Sequence, residues 1–208
     1  MLANNYQDDE FLIDAVGEVL NIGMGVAAAA LSEMIEKEVI LSAPVVEFIP
    51  RNEAIRQINP DKNFRLSGVS ESFSGPFSGT AILLFPERQS LELVRALIKP
   101  DDLALDVLSE LEQEAITETG NVILNACLCS IADFLHNKIE SSIPEFVSGS
   151  LENIINKNQA ADTDQNIVLL LKMNFAIEQI SIQGYVTFMM DAYCVADLRE
   201  AINASMGG

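Results

Sequence analysis

The chain repeats one pattern of polar residues after an interval of one hundred positions. The residues of the first half are Asp14, Glu18, Asn21 and Pro44, and those of the second half are Glu114, Glu118, Asn121 and Pro144. A core does not need carboxylates and an amide at fixed spacing, so the repeat indicates two copies of one polar site. Two copies are too few for a solenoid, which needs at least three repeats. We therefore expect one pseudo-symmetric domain.

The length of 208 residues allows one large or two small domains. We predict a single domain of residues 1–208 that is made of two repeats, about residues 1–100 and 101–208, because each half is too short to close its own core. Residues 78–85 correspond to residues 183–190, so the offset between the halves grows along the chain. The second half therefore contains a short insertion. We place it in the polar stretch 156–166, which is typical of a surface loop.

The repeated acids and amides lie on a predicted helix in each half. An aspartate at position 8 or 9 can cap a helix that begins near Glu10 and ends near Glu36, because apolar residues follow at helical spacing. Positions 14, 18 and 21 lie within roughly 60° of one another on such a helix, so they share one face. The second copy has the same arrangement. We interpret Gly120, beside Asn121, as clearing room for a molecule that docks there.

Segments rich in β-forming residues follow each predicted helix. The strand over residues 39–48 contains Pro44, which lacks an N–H donor, so we predict an edge strand or a bulge at that point. The other predicted strands cover residues 64–73, 80–85, 143–147, 167–175 and 182–190. Short hairpin-like spacings favour antiparallel pairing. We predict an α/β (α+β) fold, a pseudo-two-fold duplicated domain in which antiparallel strands are covered by long helices.

The formal net charge of −19 excludes several kinds of partner. Nucleic acids and anionic membranes are bound through lysine and arginine, so we expect neither a nucleic-acid partner nor a membrane surface. A basic protein partner complements the charge, although solubility alone accounts for it equally well. The first ten residues are polar and acidic, unlike a secretory leader, and the longest apolar runs have the length of a strand. We expect a cytoplasmic protein without membrane insertion.

Few residues of the chain suit a conventional active site. The single histidine, His136, has no evident serine or cysteine partner, so we expect a helix-surface residue and no catalytic triad. No GxxxxGK phosphate loop is present. Cys127, Cys129 and Cys194 lack metal-binding spacing, and we expect reduced core cysteines. Carboxylates on one exposed helix face would form a weak Mg²⁺ or Ca²⁺ cage, so we expect no metal ligands in this chain.

An exposed asparagine one turn after a glutamate suits a different task. The carboxamide does not titrate near neutrality, but it can hold a water molecule through one donor and one acceptor and orient it for attack. The glutamate can pair with a lysine or arginine of another protein and fix the position of that protein. Together, the two side chains would accelerate hydrolysis of an activated bond that the partner already holds.

The spacing acid-x3-Glu-x2-Asn-x22-Pro occurs twice and resembles the motif of the CheC/CheX/FliY phosphatases of bacterial chemotaxis. Residues 21–27 and 31–34 also resemble sequences of that family. The resemblance covers essentially the whole chain, and the presence of two sites at this length is similar to a CheC-type member. It implies hydrolysis of the aspartyl phosphate of a CheY-type response regulator.

The same resemblance implies a role for each repeated residue. Asn21 and Asn121 would orient the attacking water, and Glu18 and Glu118 would pair with the active-site lysine of the regulator. The supporting residues would be Asp14 and Glu114, with Pro44 and Pro144 at the edges of the two sites. The required Mg²⁺ would belong to the regulator, and the receptor deamidase CheD is a further implied partner.

Two departures from the family pattern leave the relative rates of the sites open. The family prefers Asp or Ser where this chain has Glu114, and Leu20 replaces the glycine that precedes Asn121 in the second half. The alternative function is a non-catalytic module that binds a phosphorylated receiver domain or CheD through the same helix. An acidic adaptor of the flagellar switch is a less favoured third reading. We expect a monomer, because internal pseudo-symmetry can replace a homodimer.

Overall fold

The computed structural model describes residues 9–42, 45–58, 65–98, 110–157, 166–177 and 179–206. The helices are α1 (Glu10–Ile35), α2 (Arg51–Ile58), α3 (Glu87–Ile98), α4 (Glu110–Phe134), α5 (Leu151–Lys157) and α6 (Ala192–Met206). The strands are β1 (Val39–Leu41), β2 (Val45–Pro50), β3 (Leu66–Ser74), β4 (Gly79–Pro86), β5 (Glu140–Ser141), β6 (Glu145–Gly149), β7 (Asn166–Ile177) and β8 (Ile180–Asp191). All strand pairings are antiparallel. The predicted α+β fold is confirmed.

The strands of the described residues form one eight-stranded sheet in which the two halves exchange strands. The order is β1-β7-β8-β4-β3-β5, and β2 also pairs with β7 while β6 pairs with β3. Thus β2 of the first half covers the hairpin β7–β8 of the second, and β6 of the second half covers the hairpin β3–β4 of the first. Each hairpin edge is thereby protected by the other half. That the whole chain is a single domain stays a prediction.

The proline-containing segment of the first half lies at an edge of the sheet. Both β1 and β2 pair with β7, and the register shifts between them, since Leu41 pairs with Phe175 and Val45 with Lys172. The pairing register of β2 on β7 is therefore shifted by one residue relative to that of β1. The predicted edge position is confirmed for β1 and β2, whereas Pro44 itself, where a bulge was the alternative, lies outside the described residues.

The additional residues of the second half lie in its hairpin. Strand β3 begins at Leu66 and β7 at Asn166, so the offset is still one hundred positions after the stretch 156–166. Leu66 pairs with Pro86, twenty positions later, whereas Asn166 pairs with Asp191, twenty-five positions later. The longer β7–β8 hairpin accounts for the growth of the offset. Our placement of the insertion in the polar stretch was wrong. A polar stretch indicates a loop, but it does not show whether the corresponding loop of the first half is shorter.

Helices cover both faces of the sheet. Helices α1, α3, α4 and α6 pack on one face around a large apolar core, and α2 and α5 pack on the other around a smaller one. Alternate residues of β4 serve the two cores: Leu83 belongs to the larger, and Ile82 and Leu84 belong to the smaller. The sheet is therefore buried on both faces, and the outer sides of α1 and α4 remain in contact with solvent.

Helix α1 begins where the sequence predicts. Asp9 caps it, since its Oδ1 accepts a hydrogen bond from the backbone N–H of Leu12 at 3.2 Å. The other oxygen, Oδ2, lies 2.8 Å from Nε of Arg199 and ties α1 to α6. Beyond the helix, Glu36 has a left-handed backbone with φ 54°, and His136 after α4 has φ 51°. His136 is exposed, as predicted, but it lies in a turn after α4, so the prediction that it belongs to a helix was wrong.

Helices α1 and α4 are long and apolar enough to cross a membrane by length and composition alone. Their buried residues, including Leu12 and Ile116, pack in the larger core against the sheet. The two helices also contact each other closely, because a Cβ at Gly23 would lie 2.9 Å from the backbone oxygen of Ala126. Core helices of folded domains have this composition, so it does not by itself indicate a membrane span.

Candidate functional site

The repeated polar residues lie on equivalent, solvent-facing sides of α1 and α4. Residues 11–20 and residues 111–120 have the same order of buried, half-buried and exposed positions, residue by residue. Glu18 and Glu118 are exposed in this order, and the neighbouring Val16 and Ile116 are buried. The two helices therefore present the same face to solvent, as expected if the two halves are related by pseudo-symmetry.

The first site consists of exposed side chains on α1. Asp14, Glu18 and Asn21 are all exposed, and their spacing places them on one face of the helix. Phe11, 49% exposed, and Ile22, 64% exposed, flank them with apolar surface. Among the residues that the structure describes, the Asn21 side chain has no hydrogen-bond partner. The fourth repeated residue, Pro44, lies outside the described residues.

The second site differs from the first in how its asparagine is held. Glu114 and Glu118 are exposed on α4, whereas Asn121 is half-buried. Nδ2 of Asn125 donates a hydrogen bond to Oδ1 of Asn121 over 2.5 Å. The hydroxyl of Ser141 in β5 donates in turn to Oδ1 of Asn125 over 3.3 Å. A chain of hydrogen bonds thus connects the edge of the sheet to the Asn121 carboxamide.

The loop that carries Pro144 is fixed to β3. Pro144 is half-buried between β5 and β6, next to Ile143, which is 86% exposed. Ser142 donates its backbone N–H to the carbonyl of Ser72 at 2.8 Å and accepts the N–H of Ser72 on its hydroxyl at 3.0 Å. The proline therefore lies on a short, anchored segment that follows the strand containing Ser141.

A groove of about 780 Å³ adjoins the second site. Its lining combines carboxylates with apolar side chains, namely Glu110, Glu114, Glu118, Leu111, Ala115 and Phe146. Apolar surface can pack the aliphatic stem of a lysine or arginine, while carboxylates meet its charged end. The groove therefore suits a basic side chain of another protein.

A buried carboxyl of strand β3 lies beneath the core-facing side of α4, opposite to the side that carries the exposed carboxylates. Glu71 of β3 is 2% exposed, and neither of its carboxylate oxygens has a hydrogen-bond partner in the described part of the chain. Burial raises the pKa of Glu71 to about 7. Burial, together with the negative charge of Glu71, raises the pKa of the Cys127 thiol to about 12. Both groups are buried in the core, so they cannot meet a partner at the exposed carboxylates.

Gly120 faces the sheet and not a docking molecule. It is buried, and a Cβ there would lie 2.4 Å from Cγ2 of Val69 in β3. Leu20, at the equivalent position of α1, is fully buried. Our interpretation that Gly120 clears room above Asn121 was wrong, because consecutive residues of a helix point about 100° apart. The difference between Leu20 in the first half and Gly120 in the second therefore concerns packing against the core.

The remaining candidate groups are dispersed. Within the described ranges, no three His, Cys, Asp or Glu side chains are grouped so as to hold a metal ion. All three cysteines are free: Cys127 is buried, Cys194 is half-buried and Cys129 is exposed. The expectation of core cysteines is confirmed for Cys127 and was wrong for Cys129.

Sequence reasoning missed Asn125 as part of the second site. The residue follows Asn121 by four positions, a spacing that places two side chains in contact along a helix. The equivalent position of the first half is Gly25, so comparison of the two halves gave no signal. The spacing of the two asparagines alone could have identified the pair.

Comparison with known proteins finds relatives with similar sequences and similar folds. Residues 12–47 match the model of the CheC-like family. The CheY-P phosphatase CheC of Bacillus subtilis (strain 168) is 23% identical over 135 residues, which are 64% of this chain and 64% of that protein. The flagellar motor switch phosphatase FliY of the same organism is 27% identical over 132 residues, 63% of this chain and 34% of FliY. The matched region spans less than two thirds of either relative.

Solved structures show the same fold. Thermotoga maritima FliY has a TM-score of 0.74 at 18% identity and covers 94% of this chain and 98% of its own. The FliM middle domain from H. pylori has a TM-score of 0.66 at 10% identity and covers 93% of this chain and 99% of its own. A chain of the FliG-FliM complex from H. pylori has a TM-score of 0.66 at 12% identity. At these identities, the likeness concerns the arrangement of helices and strands alone.

Proposed function

We propose that the chain is a member of the CheC/FliY family of chemotaxis proteins and that it hydrolyses the aspartyl phosphate of a CheY-type response regulator, a proposal supported by its similarity to CheC and FliY. The observation that most supports this proposal is the presence of Glu18 with Asn21 and of Glu118 with Asn121 on equivalent outer faces of two helices. Each pair offers a fixed charge and a neutral carboxamide one turn apart on a rigid element. Such a pair can enter the active site of another protein.

In the proposed reaction, the carboxamide of Asn21 or Asn121 holds a water molecule in line with the phosphorus. The oxygen of that water attacks phosphorus, the bond between phosphorus and the aspartyl oxygen breaks, and inorganic phosphate and a free aspartate are released. Asparagine contributes by orientation, since it neither gains nor loses a proton near neutral pH. The Mg²⁺ that supports phosphoryl transfer would belong to the regulator, and no side chain of this chain is proposed to bind it.

The glutamates would position the two proteins. Glu18 and Glu118 are exposed and free to pair with a lysine of the regulator. Asp14 and Glu114 would add negative charge one turn earlier, and Pro44 and Pro144 would shape the edge of each site. The net charge of −19 supports a partner with a basic surface around its active site. We further propose a cytoplasmic, monomeric protein with CheD as a second partner.

A second candidate function is a non-catalytic module that binds a phosphorylated receiver domain or CheD. The specific observation in its favour is the fold shared with a chain of the FliG-FliM complex, a structure of two proteins bound to each other. The exposed apolar residues beside the acids, Phe11 and Leu111, would serve binding in either function.

The decay of a phosphorylated CheY-type receiver domain distinguishes the two functions. We expect faster decay with substoichiometric wild-type protein, and decay at the spontaneous rate with the double variant Asn21→Ala/Asn121→Ala. Asn153→Ala is the matched control, because Asn153 is exposed on α5, on the other face of the sheet. Binding without acceleration by the wild type would favour the module. Acceleration by the double variant would refute the proposed role of the asparagines.

A further inference from the structure

We propose that Asn125 is a positioning residue of the second site, which holds the Asn121 carboxamide in one orientation and makes this site faster than the first. The inference rests on the proposed function. It is carried by the 2.5 Å hydrogen bond from Nδ2 of Asn125 to Oδ1 of Asn121 and by the 3.3 Å hydrogen bond that Ser141 donates to Asn125. The two bonds form a directed chain that ends on the residue proposed to orient water.

The direction of this chain determines which atoms of Asn121 remain available. The Ser141 hydroxyl donates to the oxygen of Asn125, so the nitrogen of Asn125 is turned towards Asn121. Oδ1 of Asn121 then accepts one hydrogen bond and keeps one lone pair, and no side chain in the described ranges accepts from either N–H group of its Nδ2. A water molecule needs one acceptor and one donor, and Asn121 retains both in a fixed arrangement.

An unrestrained asparagine lacks this arrangement. The terminal torsion of asparagine is broad and roughly two-fold, so a free side chain exchanges its oxygen and nitrogen positions. Asn21 is exposed, and Gly25 replaces Asn125 one turn later. No side chain in the described part of the first half holds the Asn21 carboxamide, so this site would order it during each reaction, whereas the second site has it ordered beforehand. A hydrogen bond of ordinary net strength corresponds to a rate difference of about three- to tenfold.

The first test removes the positioning group at the second site. Turnover of the phosphorylated receiver is measured in an Asn21→Ala background, where only the second site works. We expect Asn125→Ala to lower kcat about three- to tenfold with KM unchanged. Asn125→Asp keeps the shape but cannot donate, so it should turn the Asn121 amide around and lower kcat as well. A loss of packing alone would not separate kcat from KM in this way.

The second test adds the positioning group to the first site, in an Asn121→Ala background. A Cβ at Gly25 would meet no atom within 4 Å, and the position is exposed, so a side chain can begin there without a clash. We expect Gly25→Asn to raise kcat about three- to tenfold over Gly25→Ala, which controls for the gain in helix propensity. This gain of activity tests the positioning role of the asparagine even where Asn125→Ala lowers the yield of folded protein.

The outcomes separate the inference from the proposed function. If Asn21→Ala is active and Asn21→Ala/Asn121→Ala is not, the proposed function stands. Unchanged or increased kcat in the Asn125 variants, with no gain from Gly25→Asn, would then overturn the role of Asn125 alone. If the double variant accelerates decay like the wild type, both the proposed function and this inference fall.

Discussion

Gly120 of α4 lies directly against Val69 of β3, so closely that a Cβ at residue 120 would be 2.4 Å from Cγ2 and 2.6 Å from Cβ of the valine. Gly25 of α1, in contrast, faces open space, since a Cβ there would meet no atom within 4 Å. Both glycines interrupt long helices, where glycine costs about 0.5–1 kcal/mol relative to alanine. Only Gly120 has a packing reason that offsets this cost.

Substitution of the two glycines by alanine should therefore have opposite effects on stability. We expect Gly120→Ala to lower the free energy of unfolding by about 1–3 kcal/mol, because the new methyl group collides with a buried side chain. Gly25→Ala should raise it by about 0.5–1 kcal/mol through helix propensity alone. Urea denaturation followed by circular dichroism measures both values. Equal effects of the two substitutions would show that Gly120 is not in tight contact with the sheet.

Glu71 predicts an unusual dependence of stability on pH. Its pKa is raised by burial from 4.5 to about 7 in the folded chain, whereas in the unfolded chain it keeps its ordinary value. The unfolded state therefore loses this proton first, and the folded state is penalised as the pH rises from about 4.5 to about 7. Above that range the penalty is constant and reaches up to about 3 kcal/mol.

Replacement of Glu71 by glutamine should remove this penalty. We expect Glu71→Gln to be more stable than the wild type at pH 8 and to differ little from it near pH 4.5, because glutamine resembles the protonated acid. Denaturation at a series of pH values gives the difference directly. Glu152→Gln, an exposed change of the same kind on α5, is the matched control. A difference of constant size across the series would contradict the proposed titration of Glu71.

The cysteines should react in the order of their exposure. Cys127 is fully buried and its pKa is raised to about 12, so almost no thiolate forms there at neutral pH. Cys129 is exposed on the same helix. Mass spectrometry after treatment with a thiol reagent should show early modification of Cys129 and modification of Cys127 only in urea. The variant Cys129→Ser is the control, because the early modification should be missing from it. Rapid labelling of Cys127 in the native protein would show that α4 opens away from the sheet.

The local features of the fold follow from the sequence, and the long-range ones do not. Helical periodicity gave the outer faces of α1 and α4 correctly, because burial follows the spacing of apolar residues along one helix. The exchange of β2 and β6 between the halves depends on pairings between distant strands, which no local pattern encodes. Glu71 lies in a polar run, Ser70-Glu71-Ser72, yet it is buried because α4 packs over β3.

The same limit applies to the candidate site. The repeat identified Glu18, Asn21, Glu118 and Asn121 because both halves carry them. It could not identify Asn125, since the feature that distinguishes one site from the other is by definition not repeated. Gly120 was assigned to docking because a glycine beside Asn121 suggested free space, and only the position of Val69 shows that the space is occupied by the core. A repeat therefore reveals what two sites share and hides how they differ.

The glutamates should act on binding and the asparagines on turnover. In an Asn21→Ala background, we expect Glu118→Gln to raise KM for the phosphorylated receiver about three- to tenfold with a smaller change in kcat, because one charge-assisted contact is lost. Asn121→Ala in the same background should abolish turnover.

Glu152→Gln removes the same charge from the other face of the sheet and controls for general electrostatic attraction. If Glu152→Gln raises KM as much as Glu118→Gln, the acidity of the protein attracts the partner as a whole. A large effect of Glu118→Gln alone, which weakens as salt is added, would instead support a direct contact between Glu118 and a basic group of the receiver.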